Sequence, residues 1–222
     1  MLLTPYGFRE WGIATLIAVL VSIPLVILGQ ALWLILVWSL WLVVAGFFRD
    51  PVRRVPTAVA NDPNAMLSPA DGTITAVERL DAHEATAGEP AVVIRIFLSV
   101  LNVHVNRAPC DATVVDLVYR PGEFLDARRD ESAQVNESNL ILLERPNGDR
   151  LGVRQVSGAI ARRIVCPLRP GASITRGERI GMIKFGSTTE LILPRPDAVT
   201  VKVEPGDAVR GVRTVLAEVR NR

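Results

Sequence analysis

Hydrophobic and polar positions alternate in two different ways along this chain. Before Arg49, residues 11–28 (WGIATLIAVLVSIPLVIL) and 31–48 (ALWLILVWSLWLVVAGFF) are apolar on every side and carry no charge. Each stretch makes a helix of about 27 Å, enough to cross the hydrocarbon core of a bilayer. Gly29-Gln30 between them predicts a helical hairpin, with a kink at Pro24. Trp33, Trp38 and Trp41 suit a membrane interface. After Asp50-Pro51 the pattern changes to short β-branched runs bounded by Gly, Pro, Asn or Asp: GTITAVERL, AVVIRIFLSV, ATVVDLVY, NLILLE, LGVRQVSG, ARRIVCPL, ERIGMIKF, ELILP, AVTVKV and TVLAEV. Such runs predict an all-β domain. The least strand-like stretch, Pro121 to Asn139, predicts a short helix or ordered loop.

Composition refines this division into a membrane hairpin over 1–50 and a β-rich domain over 51–222. The chain has 222 residues, 49% hydrophobic and 22% charged, values that average an apolar segment and a soluble one. A net charge of +2 gives no argument for nucleic acid. Arg9 before the hairpin and Arg49, Arg53 and Arg54 after it place both flanks on the cytoplasmic face by the positive-inside tendency. The apolar length is too great for a signal peptide, and no basic segment precedes it. Cys110 and Cys166 lie far apart with no paired spacing, which predicts reduced thiols. Two segments are alike, Leu168-Arg-Pro-Gly-Ala-Ser-Ile-Thr-Arg-Gly-Glu and Val203-Glu-Pro-Gly-Asp-Ala-Val-Arg-Gly-Val. Their glycines fit tight turns of a compact β-sandwich, and the pattern resembles the barrel-sandwich hybrid of lipoyl and biotinyl carriers.

Within "IKFGSTTELILP" (183–194), Gly186-Ser187-Thr188-Thr189 separates two apolar runs. A glycine there can make a bulge, with the hydroxyls pairing across strands. The alternative is self-cleavage at the Gly186–Ser187 bond. A serine hydroxyl held in a strained turn attacks the preceding carbonyl, the resulting ester eliminates, and loss of ammonia leaves an N-terminal pyruvoyl group. A serine nucleophile needs a base, and the base an orienting group. His104, within "FLSVLNVHVNRAP", and Asp71, within "LSPADGTIT", could supply both. Alone, His104 reads as a core histidine and Asp71 as a turn residue. His83, in the polar loop DAHEATAGE, reads as solvated.

Together these stretches resemble the short-form phosphatidylserine decarboxylase proenzymes from Phe47 onward. "FFRDPVRRVP", "SPADGTI", "NVHVNRAP", "PGEFLDA…NESN", "SGAIARRIV" and "RGERIGMIKFGSTTELILP" follow in that family's order. The resemblance implies cleavage into 1–186 and 187–222, a catalytic set of Asp71, His104 and Ser187, and a pyruvoyl cofactor derived from Ser187. It implies a lyase that converts phosphatidylserine to phosphatidylethanolamine through a Schiff base, with no metal. The hairpin would hold it at the bilayer, and the strands ELILP, AVTVKV and TVLAEV would keep residues 187–222 associated with the rest without a disulfide. Longer relatives carry a second histidine in the His motif, where Asn106 and Arg107 stand here. Arg107, Arg162 and Arg163 are candidates for the substrate phosphate by residue type.

Two other readings remain open on the residues. One is the same chemistry on a related lipid, such as an ether-linked archaeal analogue. The other is a non-catalytic membrane-tethered adaptor on a hybrid barrel. A lipoyl or biotinyl carrier needs a lysine at a hairpin tip, but Lys184 lies inside IGMIKF and Lys202 within VTVKV.

Overall fold

The computed structural model describes residues 2–126, 131–159, 163–184 and 187–220, in two compact units, Met1–Val52 and Arg53–Arg222. In the first unit, helix α1 (Phe8–Ile27) runs through Pro24 and is followed by α2 (Ala31–Phe47). Gly29 turns the chain between them at φ +66°, a conformation that favours glycine. The stretch Pro5–Ile27 is long and apolar enough to cross a membrane; α2, with 17 residues, is shorter. The Trp41 indole donates to Thr15 Oγ1 at 2.8 Å, so this tryptophan ties the two helices together.

The second unit is mainly β, as the alternating runs predict. Its strands, in chain order, begin with β1 (Ala65–Leu67), β2 (Gly72–Leu80), β3 (Ala91–Leu98), β4 (Val105–Arg107) and β5 (Ala112–Arg120). A one-turn helix α3 (Ser132–Val135) then precedes β6 (Ser138–Glu144), β7 (Arg150–Ser157), β8 (Arg163–Val165), β9 (Ser173–Ile174) and β10 (Arg179–Lys184). Last come β11 (Ser187–Pro194), β12 (Val199–Val201), β13 (Ala208–Val209) and β14 (Val215–Val219). An eight-stranded sheet has the order β13-β2-β3-β11-β7-β6-β5-β9, and two three-stranded sheets have the orders β1-β14-β12 and β4-β10-β8. The main core lies against one face of the large sheet, where Ile94, Ile96, Leu98, Ile141, Val153 and Leu191 pack together. The opposite face is covered by the turn Glu84–Thr86, with Ala85 against Leu140 and Ile192.

The two similar Pro-Gly segments are part of a larger internal repeat. Asp71 and Asp111 each open a strand, β2 or β5, and each accepts at 2.7 Å from a backbone N–H, of Gly211 and Arg176 respectively. Leu67 N–H donates to Pro109 O, and in return Arg107 N–H donates to Pro69 O. Ile74 and Val114 make equivalent pairs of backbone bonds with 206–207 and 171–172. The three-stranded sheets correspond strand for strand, and the two-residue strands β13 and β9 close opposite edges of the large sheet. One half therefore comprises β4 to β10, inserted between β3 and β11 of the other.

Candidate active site

The β11 strand starts at Ser187, earlier than the apolar run ELILP suggested, so all three hydroxyl residues are strand residues. Its register with β3 is unbroken over eight pairs, from Ser187↔Leu98 to Pro194↔Ala91, so β11 carries no bulge. On its other side it pairs with β7, with Ser187 opposite Ser157 and Thr189 opposite Gln155. The preceding strand, β10, belongs to another sheet. The two apolar runs around Gly186 are therefore separate strands, and the Gly-Ser bond lies where the chain passes from one sheet to the other. Gly186 itself lies outside the described residues.

Side-chain alternation places Ser187 and Thr189 on the main-core face, along with Leu191. Ser187 is fully buried, and its Oγ has no hydrogen-bond partner. Directly across, the buried Ser157 Oγ is also without one. Two orphaned hydroxyls on facing strands are costly, about 1–3 kcal/mol each. One turn of the pleat deeper the situation is the reverse. Asn139 Nδ2 donates to Gln155 Oε1 at 3.1 Å, Gln155 Nε2 to Asn106 Oδ1 at 2.9 Å, and Asn106 Nδ2 to Thr189 Oγ1 at 3.0 Å. This buried amide chain fastens β4 to β11 across the two sheets.

The same bridge locates His104. His104 stands immediately before β4, two residues from Asn106; on β11, Ser187 is two residues from Thr189. Both steps run towards the 185–186 junction, because His104 O accepts from Ile183 N–H near the end of β10. His104 is fully buried, and its Nδ1 lies 3.0 Å from Asn102 O. A carbonyl only accepts, so in the neutral ring Nδ1 carries the proton and Nε2 keeps the lone pair of a base.

The orienting acceptor at Nδ1 is thus a backbone carbonyl. Asp71 Oδ2 is engaged by Arg53 Nη2 at 2.6 Å and Oδ1 by Gly211 N–H, with both side chains of the ion pair largely buried. Asp71 reaches the same end of the sheet through β2, which pairs with β3 up to Thr73↔Phe97. A Cβ at Gly72 would meet Phe97 O at 2.1 Å, so only glycine permits this approach.

The family model for phosphatidylserine decarboxylase matches residues 40–217. The chain belongs to the phosphatidylserine decarboxylase family. It is 45% identical over 173 residues to a phosphatidylserine decarboxylase proenzyme of Desulfotalea psychrophila, covering 78% of each chain. It is 44% identical over 182 residues to a protein of the same description from Ralstonia pickettii, covering 82% of this chain and 81% of that one. A third, from Paraburkholderia xenovorans, is 41% identical over 184 residues, covering 83% of both.

For a phosphatidylserine decarboxylase the cations near the junction matter, and the arginines proposed from sequence fare unequally. Arg107 is buried and donates from Nη1 to Gly177 O at 3.1 Å. Arg163 is exposed at the start of β8, opposite Lys184 in the register. Arg162 lies outside the described residues. Lys184, weighed from sequence only as a carrier lysine, is buried at the end of β10, immediately before the junction. Its apolar neighbours concealed it as a site residue. Ser157 and Asn106 were also missed, since a serine before Gly158 and an asparagine in a strand give no signal until the cross-strand register is known. His83 is half-buried and not merely solvated: its Nδ1 accepts from Ala85 N–H at 3.0 Å, and burial lowers its pKa. Among the described residues both cysteines are free, and burial pushes the Cys110 thiol up to about 12.

Proposed function

We propose that this phosphatidylserine decarboxylase matures by cutting itself between Gly186 and Ser187, and that residue 187 then carries the pyruvoyl group used on phosphatidylserine. The enzyme removes CO₂ from the serine headgroup and leaves phosphatidylethanolamine. The observation that carries the maturation step is the buried, unpartnered Ser187 Oγ at the first residue of a central strand, at the end of β10 and β11 towards which His104 also lies. Nothing in the described structure competes for that hydroxyl.

In the proposed step His104 Nε2 takes the Ser187 hydroxyl proton while Oγ bonds to the carbonyl carbon of residue 186. The C–N bond then breaks, and its nitrogen takes a proton to become the free amine of residue 187. Loss of the Cα proton expels the residue-186 carboxylate by β-elimination, and water replaces the nitrogen, released as ammonia. A residue rebuilt in this way fits the site, since its side-chain oxygen has no existing hydrogen bond to lose. The pyruvoyl group supplies an acceptor for the electron pair left when CO₂ departs.

The chain's own residues do the rest. His104 holds a proton for the substrate Cα, with its tautomer set by Asn102 O. Burial around Ser187 excludes water and disfavours a charged carboxylate before it is lost. To Lys184 and Arg163, opposite each other in the register of β10 and β8, we assign the phosphate or the carboxylate. Asp71 acts through the frame: its pair with Arg53 fixes the start of β2, whose preceding Pro69 carbonyl holds Arg107 N–H at 2.9 Å on β4, the strand that follows His104. Pro5–Ile27 associates the protein with the bilayer that holds its substrate, and Arg49 and Arg54 favour a cytoplasmic catalytic unit.

The test is the intact mass of the purified chain under denaturing, reducing conditions. Two species are expected, residues 1–186 and residues 187–222, the latter lighter than its serine form by one ammonia. Ser187→Ala should remain a single chain. A full-length wild type that releases no CO₂ from phosphatidylserine would favour the non-catalytic adaptor.

A further inference from the structure

The end of the large sheet that carries Ser187 also carries the exposed apolar side chains of the catalytic unit's loops. The connection from β3 to His104 presents Leu101 at 84% exposure and Val100 at 46%. These residues do not hang on a slack loop. Asn102 N–H donates to Ser99 O at 2.9 Å, while Ser99 N–H and Oγ both donate to Asn102 Oδ1, at 2.9 and 2.8 Å. The turn is closed at its base, and Val100-Leu101 form its tip. The next residues, Asn102 to His104, lead directly into the site.

A second apolar group stands at the same end. Phe124 is 40% exposed, on the segment after β5. That segment is held to the sheet end by Asn136, which exchanges hydrogen bonds with Leu125 and donates from Nδ2 to Ser157 O at 2.8 Å. Arg163 adds an exposed cation close to Lys184. The opposite end of the sheet has a different character. A cavity of about 990 Å³ there is lined by Arg79, Asp81, Glu89, Arg150 and Asp197 among others, and the one large apolar side chain of its lining, Leu80, is 37% exposed. Rigid apolar tips beside the site, flanked by a cation, with charged residues at the far end, match a surface that meets lipid headgroups and enters the acyl boundary.

We propose that the Ser99–Asn102 turn, with Val100 and Leu101 at its tip and Phe124 at the same end of the sheet, inserts into the bilayer and sets the mouth of the active site at the headgroup level. This surface rests on the lipid-decarboxylase reading for its purpose, but the apolar helices are not part of it. A diacyl substrate then needs to lift only its headgroup towards residue 187, and its acyl chains stay in lipid.

The experiment uses the full chain in phosphatidylcholine–phosphatidylglycerol liposomes, with a nitrobenzoxadiazole label on Leu101→Cys in a Cys166→Ser background; Cys110 is buried. Leu80→Cys, labelled likewise, reports the opposite end. The label at 101 should emit to the blue of that at 80 and be quenched at least threefold more by acyl-chain spin-labelled lipid. Solvent-like emission at 101 would overturn the proposal. So would blue-shifted emission without spin-lipid quenching, which would mean that a second copy of the chain covers the loop. In the active enzyme, Leu101→Asp should raise the bilayer substrate needed for half-maximal rate about tenfold, as expected for losing one buried leucine and adding a charge; an unchanged value counts against insertion. The label should be quenched equally in Ser187→Ala. Quenching with no CO₂ release from the wild type would sink the decarboxylase reading and leave the surface standing.

Discussion

Asn106→Leu is the most informative single change at the site, because the leucine fits the volume but abolishes both hydrogen bonds of the amide. Gln155 Nε2 would lose its acceptor and Thr189 Oγ1 its donor, in a region where Asn106, Gln155 and Thr189 are all fully buried. Each orphaned group costs about 1–3 kcal/mol, and the added apolar surface returns about 1 kcal/mol. The net loss should be about 1–5 kcal/mol, which in a domain of this size lowers Tm by roughly 2–20 °C. Thermal unfolding of the full chain in detergent, followed by circular dichroism, measures it.

The same change should act on chemistry. The amide chain ties β4, which directly follows His104, to β11, which begins at Ser187, so its loss should slow the proposed self-cleavage even where the protein remains folded. The fraction cleaved is read by gel electrophoresis below the variant's own Tm. Asn106→Leu combined with Gln155→Leu should cost less than the sum of the two, since one orphan is then removed with its partner. A variant that loses under 0.5 kcal/mol and cleaves at the wild-type rate would refute the idea that this network pins the two strands.

Three further outcomes follow from the geometry. Ser157→Ala removes a buried hydroxyl without a partner, so stability should rise by about 1 kcal/mol; if that hydroxyl supports Ser187 during attack, cleavage should slow about tenfold in the same variant. Asp71→Asn and Asp111→Asn both keep an acceptor for their turn N–H, but only the first leaves the largely buried Arg53 guanidinium without an anionic partner; denaturation should show a loss of about 2–4 kcal/mol for the first and under about 1 kcal/mol for the second. His83 is held below its ordinary pKa of 6.5 by burial, so the unfolded chain binds its proton first, and this contribution to stability is present above pH 6.5 and lost as pH falls towards the folded pKa. Its imidazole resonances should titrate below 6.5 by NMR, and a midpoint above 6.5 would reverse the sign.

Much of the architecture can be read from the chain because strand signals are local. GTITAVERL coincides with β2, and the runs starting at Ala91, Ala112 and Leu151 agree within two residues at either end with β3, β5 and β7. The failures have physical causes. AVTVKV yields only Val199–Val201, since Lys202 N–H bonds to Leu216 O outside a regular ladder. The strands Ala65–Leu67, Ser173–Ile174 and Ala208–Val209 are too short to show a period. At the site, Ser187 and His104 stood out because hydroxyl runs and histidines are rare in this chain. Ser157 did not, because its meaning comes from register with a strand thirty residues away. Asp71 looked like the histidine's orienting partner, whereas its oxygens are taken by Arg53 and Gly211.

The internal repeat explains why the chemistry sits where it does. In the inserted half, β6 passes to β7 through a short turn at 145–149. In the other half the equivalent connection, β3 to β11, has been opened to admit the whole of β4 to β10. Leu98, where the chain leaves this half, and Ser187, where β11 begins on its return, are paired directly across the ladder. Ser99 to His104 follows the first of them in the chain, and the Gly186–Ser187 bond joins the second. Cutting the return linker breaks no strand. Ser187 is held between β3 and β7 by ladders on both sides, so the proposed cut should leave the two fragments associated under native conditions. The two aspartates obey the same logic. Asp111 shows what the repeat requires of that position, a single bond to a turn N–H. The Arg53 pair is what Asp71 adds, on the half whose strand was opened.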